Sequence, residues 1–246
     1  MIMRPHRHSL FFVAVLALAC GALADDKAKP SVVDSGSFGI IVQGSRVATK
    51  TFRVEQRGQS SFVISQLKTE DATQATQTAE LEMAANGSLK KYTWKETKPG
   101  DAVIVIEPQD AQFLSLRFTE SASAAPKTTT FALSPATSII DDNFFSQMQV
   151  MAWKYMASGC RPGPNGVNEC VWNEQKLPVM NPHQQESLLI SMTFIGQQKV
   201  KLKGVERNFK TFKLKGESGE WTLWFNDENK LVRVIIAAEN TEVLRD

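Results

Sequence analysis

The chain is predicted to be mostly β: a single strongly curved antiparallel sheet, an open or half barrel, with one amphipathic helix packed against its concave face. Three observations carry this. Apolar and polar residues alternate through many short segments separated by turn formers, as strands with one buried face require. The segments follow one another too closely for the crossover helices that parallel pairing needs. One stretch alone, residues 140–155, carries its apolar residues at three- and four-residue steps.

The elements read in order as follows. Arg4 and Arg7 precede about ten apolar residues and the small-residue exit Ala22-Leu23-Ala24, the pattern of a secretory signal peptide over residues 1–24. Cys20 makes a weaker match to a lipoprotein cleavage site, because Ala17 stands where that pattern prefers Leu. The apolar run is too short to span a bilayer, which takes about 20 residues. Residues 25–246 are then read as one β-rich domain, with a split near residues 135–142 as the alternative. Phe38, Ile40 and Val42 share a face before Gln43-Gly44; Phe52 and Val54 follow, then Phe62 and Ile64. Leu81 and Met83 lead into Asn86-Gly87, a strong hairpin signal because both turn positions favour positive φ. Leu89, Tyr92 and Trp94 return from it. Residues 102–106 and 113–118 form two further strands, and 120–130 reads as a loop or sheet edge.

The helix is expected near residues 141–157. Ile140, Phe144, Met148, Met151 and Tyr155 make its apolar stripe, Asp141 or Asp142 its N-cap, and Ser158-Gly159 its end. Asn143, Gln147 and Lys154 lie on the opposite face. Phe145 and Trp153 widen the apolar arc, so the helix should lie on a sheet. Phe144, Phe145, Met148 and Met151 are the candidate lining of an apolar ligand pocket, against the alternative that they are core. Strands resume at 188–194, 200–202, 209–214, 221–225 and 231–236. In the last two both faces are apolar, which calls for cover on both sides or an interior cavity.

Composition narrows the function classes. The chain has 246 residues, 42% hydrophobic and 22% charged, which excludes wholesale disorder and a polytopic membrane protein. The formal charge is +2, and the 28 basic residues include Arg4 and Arg7. Cleavage after Ala24 would leave 26 basic against 26 acidic residues, a balance that opposes nucleic-acid binding. It would also leave two cysteines, Cys160 and Cys170, flanking a turn-rich loop (160–170), and in an exported chain such a pair reads as a disulfide. No metal site or cofactor is expected from a lone Cys pair.

His183 is the single histidine after residue 24, and it lies in a loop context. No nucleophile elbow, P-loop, dinucleotide fingerprint or zinc-protease motif is present. With no catalytic residues to nominate, a non-enzymatic protein is expected. The remaining constellation is cationic. Lys199, Lys201 and Lys203 alternate with Val200 and Leu202, and Lys213 and Lys215 with Phe212 and Leu214, with Arg207 and Lys210 between and Glu206 the one anion. On paired strands these would present a basic ribbon on one side. It is either a solvated face that discourages edge pairing or a contact for anionic lipid or an envelope protein.

A resemblance rests on the hairpin Leu81-x-Met83, Asn86-Gly87, Leu89, Tyr92 and Trp94, the segment Ile139 to Phe145, Val200-Lys201-Leu202-Lys203-Gly204, and the hairpin from Trp224 to Arg233. Together these resemble the exported bacterial families of unknown function DUF3108 and DUF6134, whose fold is similar to the lipoprotein-carrier (LolA/LolB-like) half barrel. The resemblance implies a periplasmic role involving an apolar ligand or the envelope, and brings no catalytic residue. The expected function is binding of an apolar or lipid-like ligand between sheet and helix. The alternative is an envelope interaction module that uses the basic ribbon and holds no small molecule.

Overall fold

A computed structural model describes residues 30–141, 143–163, 168–170, 174–217 and 219–246. The signal-peptide segment, Cys20 and Asp142 lie outside the described residues, as do residues 164–167 of the disulfide loop.

The strands are β1 (Ser31–Val42), β2 (Ser45–Arg57), β3 (Ser60–Thr69), β4 (Thr76–Ala84), β5 (Leu89–Lys98), β6 (Val103–Pro108), β7 (Leu114–Thr119), β8 (Lys127–Phe131) and β9 (Ser138–Ile139). Helix α1 (Ser146–Gly159) follows, then the short pair β10 (Cys160–Pro162) and β11 (Asn168–Cys170). The chain returns as β12 (Gln175–Asn181), β13 (Glu186–Leu202), β14 (Val205–Gly216), β15 (Gly219–Phe225), β16 (Leu231–Ile236) and β17 (Thr241–Arg245). Among the described residues, 15 strands form one sheet in the order β8 to β1, then β17 to β12, then β9. It is two antiparallel meanders joined where β17 pairs with β1, from Phe38↔Arg245 to Val42↔Thr241. The predicted mostly-β curved antiparallel sheet with one helix is therefore what the chain forms. The sheet is not closed: β8 and β9 are its edges, and β9 pairs parallel to β12 over two residues.

Alternation dictates the core. Ala48, Phe52 and Val54 of β2, Val63 and Leu67 of β3, and Leu81 and Met83 of β4 all face inward and are buried. Phe212, Leu214, Leu223, Phe225, Val234 and Val243 do the same in the second meander. The inward faces meet around α1, whose first two turns are buried all round. The helix thus differs from the expected one lying on a sheet with Gln147 toward water: Gln147 is buried, and a helix enclosed on every side carries little amphipathic signal.

The helix also begins later than its apolar spacing predicts, at Ser146, and Phe145 occupies the cap position without a side-chain cap. Asp141 is not the cap. Its carboxylate is turned inward and taken by other partners, and the Phe144 N–H donates to the Asp141 carbonyl at 3.0 Å. Cys160 and Cys170 are joined as a disulfide across the β10–β11 pair.

Candidate ligand-binding site

Helix α1 is pinned at its N-terminal end by three polar side chains, two met by strands and one by the segment that precedes the helix. Ser146 receives the Lys50 ammonium of β2 at 2.9 Å and lies 3.0 Å from the Ser65 hydroxyl of β3. Gln147 accepts the Asp141 backbone N–H at 2.9 Å. Gln149 donates to Asp34 of β1 at 2.8 Å and accepts the Leu231 N–H of β16 at 2.7 Å. Asp34 is also held by Arg245 of β17 through two bonds, at 2.6 and 3.0 Å. Buried polar groups cost free energy unless paired, and these are paired.

Asp141 gathers a second set. It accepts the Tyr92 hydroxyl, and His183 Nε2 lies 3.3 Å from the same oxygen, Oδ2. Trp94 meets the His183 ring edge-on, with centroids 4.6 Å apart. Lys50, wholly buried, lies 5.0 Å from the Phe144 ring centre. Burial pushes its ammonium well below the ordinary lysine range, and the Asp141 charge pulls the other way. The cluster is a set of anchors: each hydroxyl and charge is committed to another group, and Asp141 is 1% exposed. Among the described residues no group of three or more His, Cys, Asp or Glu side chains converges as a metal site would require.

The four side chains nominated as a pocket lining lie in this packed core. Phe144, Phe145, Met148 and Met151 are all buried, and the crevice beside Met151 is only about 10 Å³. The space directly beneath the helix is filled, because these large side chains interdigitate with the inward faces of both meanders. Open space lies instead at the flanks of α1. At its N-terminal end a cleft of about 520 Å³ runs from Phe145 and Asn143 to Ile40, Ala48, Leu67 and Ile236. Its rim is charged: Arg46, Glu70 and Asp71 line it, and Arg46 is already bound to Asp246 at 2.8 and 2.9 Å.

Along the second half of the helix lies a cleft of about 360 Å³. Val150, Trp153, Lys154 and Ala157 form its helical wall. Val33, Val54, Glu55, Ser61 and Met83 form the sheet wall, and the β4–β5 turn closes one end. The Trp153 indole N–H donates to the Asn229 carbonyl at 2.6 Å, which fixes the ring. Glu55 is buried and paired with Arg53, 2.9 Å away, and with Arg57. Its walls are largely aliphatic and aromatic with a few polar groups, the usual make-up of a small-molecule site.

The cations of β13 and β14 do not share one face. A bulge between Phe194 and Gly196 adds Ile195 to β13. From there the register puts Lys199 and Lys201, opposite Asn208 and Glu206, on the side of Lys210 and Phe212. Lys213 and Lys215, opposite Thr193 and Ser191, lie on the other side. Even and odd positions of β14 face opposite sides, and the bulge lies beyond Lys199 and Lys201, so the pairing at the β13–β14 turn splits the expected one-sided ribbon. Lys203 stands in the turn with positive φ, and with Arg207 lines a third cleft of about 300 Å³ on the outside of β14–β17. Lys199 and Lys213 are paired with Glu206 and Glu220.

With this geometry in view, a crystal structure stands out as similar: one described as a beta-barrel-like protein of domain of unknown function DUF1849 from Brucella abortus. It superposes with a TM-score of 0.53 at 5% sequence identity, over 86% of this chain and 94% of that one. The likeness is one of fold. No family model matches the chain, DUF3108 and DUF6134 included, and no curated protein matches it.

Sequence reasoning missed most of the residues around α1. Lys50, Asp34 and Ser65 sit at inward positions of strands where alternation expects apolar groups, and that mismatch was the available signal. Lys50, at the centre of the run Ala48, Lys50, Phe52 and Val54, was the legible case. The pairing of His183 with Asp141 left no signal, since the two come from different loops.

Proposed function

We propose that this protein is a non-enzymatic, exported binding protein that holds an apolar or lipid-like ligand in the 360 Å³ cleft between α1 and the sheet. The observation that carries this reading is the cleft itself: Val54, Met83, Val150 and Trp153 offer apolar wall on both sides, at the lower end of the size range of ligand sites. A barrel-like sheet wrapped around a helix is compatible with such a role. The Ala22-Leu23-Ala24 exit and the Cys160–Cys170 bond support passage to an oxidising compartment, the periplasm in our reading.

The test is organic extraction of purified protein with mass spectrometry, followed by titration with the neutral apolar fluorophore N-phenyl-1-naphthylamine. We expect saturable binding that falls at least tenfold in Val150→Phe, whose ring would occupy the cleft. Absence of both an extracted ligand and saturable binding overturns the proposal. The other reading, an envelope contact through cations, is favoured by the outer cleft, where Lys203 and Arg207 flank Leu202, Val205 and Phe209. Binding to anionic vesicles that is lost in Lys203→Gln/Arg207→Gln, with no effect of Val150→Phe, selects it.

A further inference from the structure

Lys154 is the one cation on the helical wall of the 360 Å³ cleft, and its surroundings are unusual for a lysine. Its stem crosses the β4–β5 turn so closely that a Cβ on Gly87 would lie 3.1 Å from its Cε. Asn86-Gly87 therefore does more than turn the hairpin: the bare glycine gives the lysine its path. The ammonium reaches the Ser138 hydroxyl at 3.4 Å, a long contact, and no carboxylate lies within ion-pair distance among the described residues. The lysine is about half-buried, and desolvation without a counter-ion disfavours its charge. Next to it, in the crevice leading to Met151, the Thr137 hydroxyl is buried with no hydrogen-bond partner.

Glu55, the one anion lining the same cleft, is already compensated by both Arg53 and Arg57. Arg53 and Arg57 are committed to Glu55 and neither lines the cleft, so the cation that the cleft itself presents is Lys154. An apolar groove with one unpaired cation at its side fits a molecule with one apolar chain and one anionic head. A single ammonium matches a carboxylate of charge −1. A phosphate monoester, at about −1.5 to −2, would call for a second cation.

We propose that the ligand of this cleft is a single-chain carboxylate, a fatty-acid anion, whose head pairs with Lys154 while its chain lies against Val54, Met83, Val150 and Trp153. This deepens the binding reading above and rests on it. Pairing of a desolvated cation with a carboxylate is charge-assisted and is strengthened by exclusion of water.

Displacement of N-phenyl-1-naphthylamine by dodecanoate, dodecyl phosphate and dodecanol tests both layers separately. Wild-type protein should bind dodecanoate at least tenfold more tightly than dodecanol, with dodecyl phosphate no tighter than dodecanoate. Lys154→Gln should lose that preference and keep its affinity for dodecanol, and Lys154→Arg should retain most of it. Equal binding of dodecanoate and dodecanol by the wild type overturns the carboxylate inference and leaves the apolar cleft standing. Tighter binding of dodecyl phosphate also overturns it, in favour of a phosphate head. Failure of all three to displace the fluorophore, or no binding of the fluorophore itself, removes the underlying reading. The wild-type comparison needs no variant, so a folding defect in Lys154→Gln does not shield the inference.

Discussion

At Asp141 one carboxylate joins three parts of the chain that are distant in sequence: β5 through Tyr92, the loop after β12 through His183, and the field at Lys50 of β2. Removing it takes away an acceptor of the buried Tyr92 hydroxyl and the negative charge that favours the Lys50 ammonium. Asp141→Ala is therefore expected to cost about 1–3 kcal/mol in urea unfolding, the range for removing one partner of a buried hydrogen bond. Lys50 sets a pH dependence with a definite sign. In the unfolded chain it holds its proton up to about pH 10.4, whereas in the folded protein burial releases that proton at lower pH. Between those limits the unfolded state binds more protons, so Lys50 makes stability rise with pH through this window. Lys154 acts in the same direction, more weakly because it is less buried. Lys50→Met should flatten the rise measured by urea unfolding between pH 7 and 9.5. An unchanged slope would mean that Lys50 keeps its ordinary proton affinity in the fold.

The elements show where periodicity is a sound guide and where it misleads. Hairpin β4–β5 was legible as a hairpin from Asn86-Gly87, although only Gly87 takes positive φ and the pairing shifts register between Glu82 and Met83. Strand β12 was not: Pro178 interrupts it, and proline argues against a strand unless the strand lies near an edge. That is its position, with only β9 beyond it over two residues. Strand β13 reads as two segments broken at Gly196, yet it runs from Glu186 to Leu202 through the bulge, and its pairing at the turn into β14 puts Lys199 and Lys201 on the opposite face from Lys213 and Lys215. Apolar spacing places the helix about five residues early. The stripe from Ile140 onward is apolar because the segment is buried, and it only becomes helical at Ser146. Met148 belongs to that buried surface, so Met148→Ala should cost about 2–5 kcal/mol in thermal or urea unfolding, as expected for a core truncation. The β10–β11 pair makes a separate prediction: Cys160→Ser/Cys170→Ser should destabilise by about 2–3 kcal/mol on the loop-entropy account. An equal effect of reductant on the native protein would check it.

The whole molecule depends on the junction of β17 with β1. This pairing joins residues about 200 apart and turns two meanders into one sheet around the helix. It is reinforced by Arg245 on Asp34. Deleting residues 241–246 should abolish a single cooperative unfolding transition, detectable as broad or non-coincident curves from circular dichroism and tryptophan fluorescence. A deletion variant that still unfolds in one sharp step would show that the halves are held together by α1 alone. Pairing at such separation also incurs loop-closure entropy before any contact forms, so slow refolding is expected.

Local chemistry in the sequence determined the β class, the turns, the antiparallel connectivity and the Cys160–Cys170 partnership, because each depends on residues close together along the chain. Tertiary structure alone decided that Phe144, Met148 and Met151 fill the core, while open clefts lie beside Phe145 at one end of the helix and beside Val150, Trp153 and Lys154 at the other. Which apolar residues interdigitate and which leave a gap depends on volumes brought together from β1 to β5 and α1, and no period along the chain encodes that sum.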